Sequence, residues 1–185
     1  MQQPSLTFRE VTQANWADMA ALFESKGAPG YCWCMAWRPL AGDRNKASNA
    51  QRKQALQSMV QAGTPVGILA YHGDKAVAWC SIAPRPSHNA LGGPDYAGVA
   101  ADQVWSLTCF YVPRALRGEG LMKQLLQQAT ETARRRGARI VEAYPVDPDS
   151  PSYRFMGFVP TFEQAGFIET GRAGSRRHVM HLRLS

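Results

Sequence analysis

No stretch of this chain approaches the run of about 20 apolar residues that a membrane-spanning helix needs, so a membrane protein is not expected. The N-terminal MQQPSLTFREV lacks a basic patch followed by an apolar run, so a secretory leader is not expected either. Cysteines are few, at positions 32, 34, 80 and 109, and their spacing fits no small disulfide scaffold. They read as free thiols of an intracellular, cytoplasmic protein. Acidic residues are scarce: 14 stand against 21 lysines and arginines, for a formal net charge of +7. That deficit turns attention to anionic partners such as a phosphorylated cofactor, nucleic acid or an acidic surface. No nucleic-acid motif accompanies the charge, which argues against nucleic acid as the main partner. Repeats, low-complexity tracts and linkers are absent as well. With 185 residues and 45% of them hydrophobic, the chain can bury one ordinary core. Residues 1–185 are expected to form a single mixed α/β domain, with a homodimer as the default assembly.

The patterns that are present give an ordered series of elements. Leu6 to Val11 alternate as a first strand, and Thr12 caps a helix from Gln13 to Ser25 with Trp16, Met19, Ala20 and Phe23 on its apolar face. The stretch YCWCMAWRP reads as a loop, and a second helix runs from Lys46 to Gln61 before Gly63. Val66–Tyr71 and Ala76–Ala83 form a hairpin about His72-Gly73-Asp74-Lys75. Pro84 to Ala101 is a long loop. Val104 to Val112 is apolar on both faces and belongs mid-sheet. Leu121 to Arg136 is the clearest helix, with Leu121, Leu125, Ala129 and Ala133 at four-residue spacing. A strand at Arg139–Tyr144, a short helix at Thr161–Ala165 and strands at Phe167–Thr170 and His178–Leu184 complete the order β-α-α-β-β-β-α-β-α-β-β.

The most informative segment is VPRALRGEGLMKQLL, from Val112 to Leu126. A central strand ends, the chain turns through two glycines, and a long amphipathic helix begins. Glycines let the backbone approach an anion closely. The first helical turn offers N–H groups with no intrahelical partner, and the helix dipole adds positive potential there. Arg117 supplies a formal charge at the rim. Together these describe a pyrophosphate site built from backbone. It is neither a P-loop, which needs Gly-Lys-Ser/Thr, nor a dinucleotide fingerprint, which needs three glycines after a first strand.

Arg117-Gly118-Glu119-Gly120-Leu121-Met122 resembles the Arg/Gln-x-x-Gly-x-Gly/Ala motif of the GNAT superfamily, the acyl-CoA-dependent N-acetyltransferases. Phe162-Glu163-Gln164-Ala165-Gly166-Phe167 resembles the family's late segment ending in Gly-Phe, and the element order matches over essentially the whole chain. The resemblance implies a single mixed-sheet domain that moves an acetyl group from acetyl-CoA to an amine by direct attack, without a metal. It implies that backbone groups of Phe110, Tyr111 and Val112 pair with the pantetheine arm. Amides of Arg117, Gly118, Glu119, Gly120, Leu121 and Met122 would then hold the pyrophosphate. Met122 stands where the family prefers Gly or Ala.

Acetyl transfer needs a neutral amine, a stabilised oxyanion and a proton for the leaving thiolate. Many family members take that proton from a tyrosine four residues before Gly-Phe, and here that position is Phe162, without a hydroxyl. Tyr144 and Tyr153 are the candidate substitutes, and Glu142 is a candidate base on the same expected strand. Cys109, inside an apolar strand, reads as an inert small hydrophobe. In the aromatic loop, Trp33, Trp37 and Arg38 are candidates to shape the pocket for the acceptor, a small-molecule or peptide amine. Zinc at Cys32 and Cys34 is disfavoured because the pair lacks Cys-x-x-Cys spacing. Two other functions remain open: a CoA-binding sensor of the same fold, which Phe162 would suit, and an RNA-associated protein using Arg134–Arg136 and Arg139.

Overall fold

Among the described residues eleven helices and strands follow one another in the order the patterning implies. They are β1 (Leu6–Glu10), α1 (Trp16–Phe23), α2 (Asn49–Gln61), β2 (Gly67–His72), β3 (Lys75–Pro84), β4 (Val104–Tyr111), α3 (Leu121–Arg135), β5 (Ile140–Ala143), α4 (Val159–Gln164), β6 (Ile168–Ala173) and β7 (Arg177–Arg183). The computed structural model describes residues 5–185. The strands form one sheet in the order β1-β2-β3-β4-β5-β7-β6. Neighbours are antiparallel except β4 with β5, which run parallel because α3 carries the chain back between them.

Helices cover both faces of the sheet. On one face α3 lays Leu121, Leu125, Leu126, Ala129 and Ala133 against Ile68, Ala78, Cys80, Ile82 and Leu107, and α4 adds Phe162. Leu125 is fully buried, so truncating it to alanine should cost about 2–5 kcal/mol through lost transfer energy and the cavity left behind. On the other face α1, α2 and residues 33–35 pack on Leu69, Tyr71 and Trp79.

Three helix starts differ from the sequence expectation: α4 begins at Val159 rather than Thr161, with Pro160 in its first turn, and the other two have local side-chain causes. Residues 13–15 form a 3-10 turn, because the Asn15 side chain accepts from Thr12 N (2.8 Å) and donates to Glu10 O (2.9 Å). The second helix starts at Asn49 rather than Lys46, since Ser48 closes a capping box with Gln51: Ser48 Oγ accepts from Gln51 N (3.2 Å) and Gln51 Oε1 from Ser48 N (2.7 Å). Residues between β3 and β4 are mostly irregular, with short 3-10 turns at Arg85–Ser87 and Ala101–Gln103. Arg85 holds this loop to the sheet by a bidentate ion pair with the buried Glu142 of β5.

Two features of β4 create a cleft. The register with β3 slips between Ser81 and Ile82, which face Cys109 and Leu107, so Thr108 is an extra residue, a β-bulge. Strict alternation would put Leu107 and Cys109 on one face. The bulge instead sends Trp105, Leu107 and Phe110 to the α3 face and Cys109 to the α1–α2 face. In addition, β4 pairs with β5 only through Leu107, opposite Ala143. Beyond that point the two strands part, and the edge of β4 from Thr108 to Tyr111 has no strand partner on that side.

Candidate active site

The cleft that opens along this free edge has a volume of about 770 Å³. Its floor is Cys109 to Val112. One wall is the turn Arg117–Gly120 with the start of α3; another is Tyr31, Cys32, Cys34 and Trp37; a third is Arg154, Phe155 and Phe158. Its charged lining residues are Arg117, Lys123 and Arg154, all basic. Among the described residues no carboxylate lines it, so the interior is poised for an anion.

The turn into α3 depends on glycine at two points. Gly118 and Gly120 have φ of 85° and 75°, in the left-handed region that L side chains adopt at a cost. A Cβ on either would meet nothing within 4 Å, so the requirement is conformational rather than one of space. Gly120 is the N-cap of α3, and the amides of the helix's first turn lie at the cleft wall with Leu121, Met122 and Lys123. Arg117 turns its Nε to Val112 O (2.9 Å), which ties the turn to the end of β4. The Met122 side chain lies against Gly157, with its Cε 3.0 Å from where a Cβ there would sit. Its bulk therefore goes sideways, toward Phe110 and Phe162.

Of the residues singled out for donor binding, Phe110, Tyr111, Val112, Arg117, Gly118, Gly120, Leu121 and Met122 line the cleft. Glu119 is exposed and does not. The catalytic candidates lie elsewhere. Glu142 is fully buried, accepts from Ser106 Oγ (2.7 Å) and is ion-paired with Arg85. Tyr144 is fully buried beside Leu91, Met156 and Val179, and its hydroxyl makes no well-formed hydrogen bond. Burial, and then the Glu142 charge, pushes that hydroxyl's pKa far upward. Tyr153 is exposed, with its ring centroid 6.1 Å from that of Trp37, and it does not line the cleft. Neither buried group is free to exchange a proton with a molecule in the cleft.

The aromatic loop also divides. Trp37 lines the cleft and stacks under the Arg177 guanidinium, 4.4 Å from the ring centroid. Trp33 faces the core, packed on Phe23 and Trp16, and Arg38 is fully buried beneath the sheet's surface. Neither reaches the cleft lining, because Trp33 (φ 48°) and Cys34 (φ 51°) turn the chain inward. Phe162 is a core aromatic, edge-on to Phe110 and Phe167.

Sequence reasoning passed over Tyr31, Cys34, Lys123, Arg154 and Phe155 as lining residues. For Cys34 and Cys109 the readable signal was a cysteine in an aromatic loop and another in a central strand, which alone point to burial. Their meeting depends on the bulge. Among the described residues no group of three or more His, Cys, Asp or Glu side chains converges as a metal site.

Known structures share this fold. A ribosomal-protein-alanine N-acetyltransferase from Brucella melitensis aligns with a TM-score of 0.57 at 20% identity, over 96% of this chain and 99% of its own. YncA from Salmonella typhimurium, determined with its cofactor acetyl-CoA, aligns with a TM-score of 0.58 at 18% identity, over 97% and 94%. PaiA N-acetyltransferase from Thermoplasma acidophilum, in complex with coenzyme A, aligns with a TM-score of 0.57 at 13% identity, over 97% and 99%. At these identities the likeness is one of fold. No curated protein sequence matches the chain. The sequence itself matches the acetyltransferase (GNAT) family over residues 29–158, well over half its length. The motif at Arg117–Met122 and this match agree: the chain belongs to the GNAT acetyltransferase family.

Proposed function

We propose that the protein is an N-acetyltransferase that moves an acetyl group from acetyl-CoA to an amine, working as a single domain. The observation that carries this reading is the cleft itself: an unpaired strand edge leads into a glycine turn and a helix N-terminus, among three cations and no anion. A free strand edge offers alternating amides and carbonyls, which suit the two amide groups of a pantetheine arm; Phe110, Tyr111 and Val112 would supply them. The amides from Arg117 to Met122, with Glu119 contributing backbone only, would hold the pyrophosphate. The acyl end would then lie toward Cys109 and Trp37, with the acceptor amine entering beside Trp37. Acetyl-CoA is made inside cells and all four cysteines are free thiols, which fits a cytoplasmic setting.

Direct attack by the amine on the donor thioester requires that its proton be removed and the leaving thiolate be protonated. Tyr144 and Glu142 do not line the cleft, so on that route both transfers fall to water or to cleft groups. The reading is tested by melting the protein with acetyl-CoA and by following thiol release across a panel of amines. A ligand at 100 times its Kd should add about 2.7 kcal/mol of stability. A melting curve unmoved by millimolar acetyl-CoA, with no binding by titration, overturns the reading. Tight binding without turnover on any amine would favour a CoA sensor instead.

A further inference from the structure

Beside Trp37 stands an arginine that no carboxylate among the described residues answers. Arg177, the first residue of β7, is half-buried and lays its guanidinium over the Trp37 ring at 4.4 Å, with the Tyr153 and Tyr144 rings at 5.6 and 5.8 Å. Its Nη1 donates to Leu91 O (3.3 Å). Nε and Nη2 bond to no group among the described residues, and neither is sealed from solvent, so the side edge of the fork stays open. Three rings thus hold the guanidinium within cation–π range while that edge has no partner. Arg38, the arginine of the aromatic loop, is the opposite case: fully buried, with Nη2 on Val66 O (2.8 Å) and Ser81 Oγ (2.9 Å).

The formal charge around Arg177 has the same sign. Arg154 donates to Pro148 O (2.6 Å) and Ser150 O (3.1 Å), and Arg176 to Ser152 Oγ (2.6 Å), all of them neutral oxygens. The carboxylates of Asp147 and Glu169 are turned to His178, each 3.0 Å from a ring nitrogen. Large apolar side chains are left exposed here as well. Of the four exposed among the described residues, Tyr31 and Phe155 line the cleft, and only Ile168 stands apart. The remaining one, Tyr153, has its ring centroid 6.3 Å from that of Phe155 and 6.1 Å from that of Trp37. Exposed rings in a row beside an open guanidinium make a surface for an apolar body and an anion together.

We propose that Arg177 reads the acceptor, and that the acceptor is an amine carrying a carboxylate and an apolar body: a free amino acid with an aromatic or large aliphatic side chain. This rests on the N-acetyltransferase reading of the cleft and narrows its acceptor to one class. The carboxylate meets Nε and Nη2 side-on, in two parallel N–H···O bonds that a single planar anion completes. Stacking has already fixed the plane of the fork, so little freedom is lost when the anion binds. The apolar side chain lies among Trp37, Tyr153 and Phe155. The α-nitrogen, one carbon away from the carboxylate, is then left on the cleft side of Trp37, where the acyl end of the donor would lie. An amine with further positive charge on its body meets Arg154, Arg176 and Arg177 and is repelled. Arginine stays protonated, so Arg177 binds and orients the acceptor and moves no proton.

The test uses the full chain with acetyl-CoA and follows thiol release with amino acids, each beside its amide and its decarboxylated amine. One such set is phenylalanine, phenylalaninamide and phenethylamine; leucine and tryptophan give two more, with glycine and aspartate as acids that lack the apolar body. The best apolar acid should exceed its amide and amine in kcat/KM by about tenfold or more, as loss of a charge-assisted pair implies, with the difference in KM. Arg177→Leu should raise KM for the acid and bring the acid-to-amide ratio toward one, and Arg177→Lys should keep part of the ratio. Acetyl-CoA should still raise the melting temperature of both variants. An arginine that only supports the fold would lower acid and amide together. Amides or decarboxylated amines used as well as the acids overturn the proposal while sparing the acetyltransferase reading. So do a preference for glycine or aspartate, turnover confined to peptide amines, and an unchanged ratio in folded Arg177→Leu. Failure of acetyl-CoA to bind, or binding without turnover on any amine, overturns both. If Arg177→Leu does not fold, the wild-type comparison of acid, amide and amine decides the matter.

Discussion

His88, on the loop between β3 and β4, is buried beside Arg38, and neither ring nitrogen makes a well-formed hydrogen bond. Burial, and then the Arg38 charge, hold its pKa well below the usual 6.5. In the unfolded chain the imidazole takes up a proton below about pH 6.5, whereas in the fold it stays neutral. The unfolded state therefore binds more protons in acid, and the stability that is whole above about pH 6.5 is lost as the pH falls. Cys34 adds a slope of the same sign at higher pH. The Cys109 thiol first, and the Arg38 charge among the lesser causes, hold its pKa below the usual thiol value, so the unfolded state binds more protons and stability rises with pH there. The expected result is a melting temperature that drops between pH 7 and pH 5, and a shallower drop in His88→Leu. An identical pH profile in the variant would remove His88 as the cause. These residue-scale effects were hidden in the sequence. A histidine in a Pro-, Gly- and Asn-rich loop reads as a surface group, and long-range contacts such as the ion pair of Arg85 with Glu142 and the bond from Asn89 N to Trp37 O (2.8 Å) fold that loop down over it.

At the scale of elements, legibility follows the range of the interactions that build each one. Helix α3 and its glycine turn were readable because their determinants are local: leucines and alanines at four-residue spacing, and glycines where φ must be positive. The capping box at Ser48 was equally local, though Lys46 and Ala47 before it carry good helix propensity and drew the expected start too early. The bulge at Thr108 left no mark, since VWSLTCFYV is apolar on both faces whichever way it is phased. That is why the face of Cys109, and its partnership with Cys34, had to come from the structure. The turn gives a direct test of the donor site. Gly120→Asp and Gly120→Asn share the cost of φ 75°, which Asn bears comparatively well, but only Asp adds a negative charge. Donor affinity by titration calorimetry should fall at least tenfold further in Asp than in Asn, about 1.4 kcal/mol. Equal affinities in two folded variants would move the pyrophosphate away from the N-terminus of α3.

For the whole molecule, the excess of seven positive charges is unevenly committed. Around the far end of α3, Arg134 pairs with Glu131, Arg136 with Glu10 (2.9 Å), and Arg139 Nη1 donates to Gly98 O (2.9 Å). The arginines that raised the RNA reading are thus engaged within the fold. In the cleft, Lys123 has no acidic neighbour in the lining, and it is exposed. Exposed charges act on a phosphate over a distance set by salt, about 30 Å at 0.01 M and 3 Å at 1 M. CoA and pantetheine should therefore respond differently. CoA carries the phosphates, so its Kd should weaken as salt is raised, while pantetheine, which can use only the strand edge and the apolar wall, should be nearly indifferent. Lys123→Glu should weaken CoA, flatten its salt response and leave pantetheine affinity close to wild type. The comparison is made by titration at several salt concentrations with folded protein confirmed in each. If both ligands show the same salt response, the cations do not hold the phosphates and the orientation assigned to the donor is wrong. RNA affinity with a steep salt slope that CoA does not compete away would instead put the anion-binding surface outside the cleft.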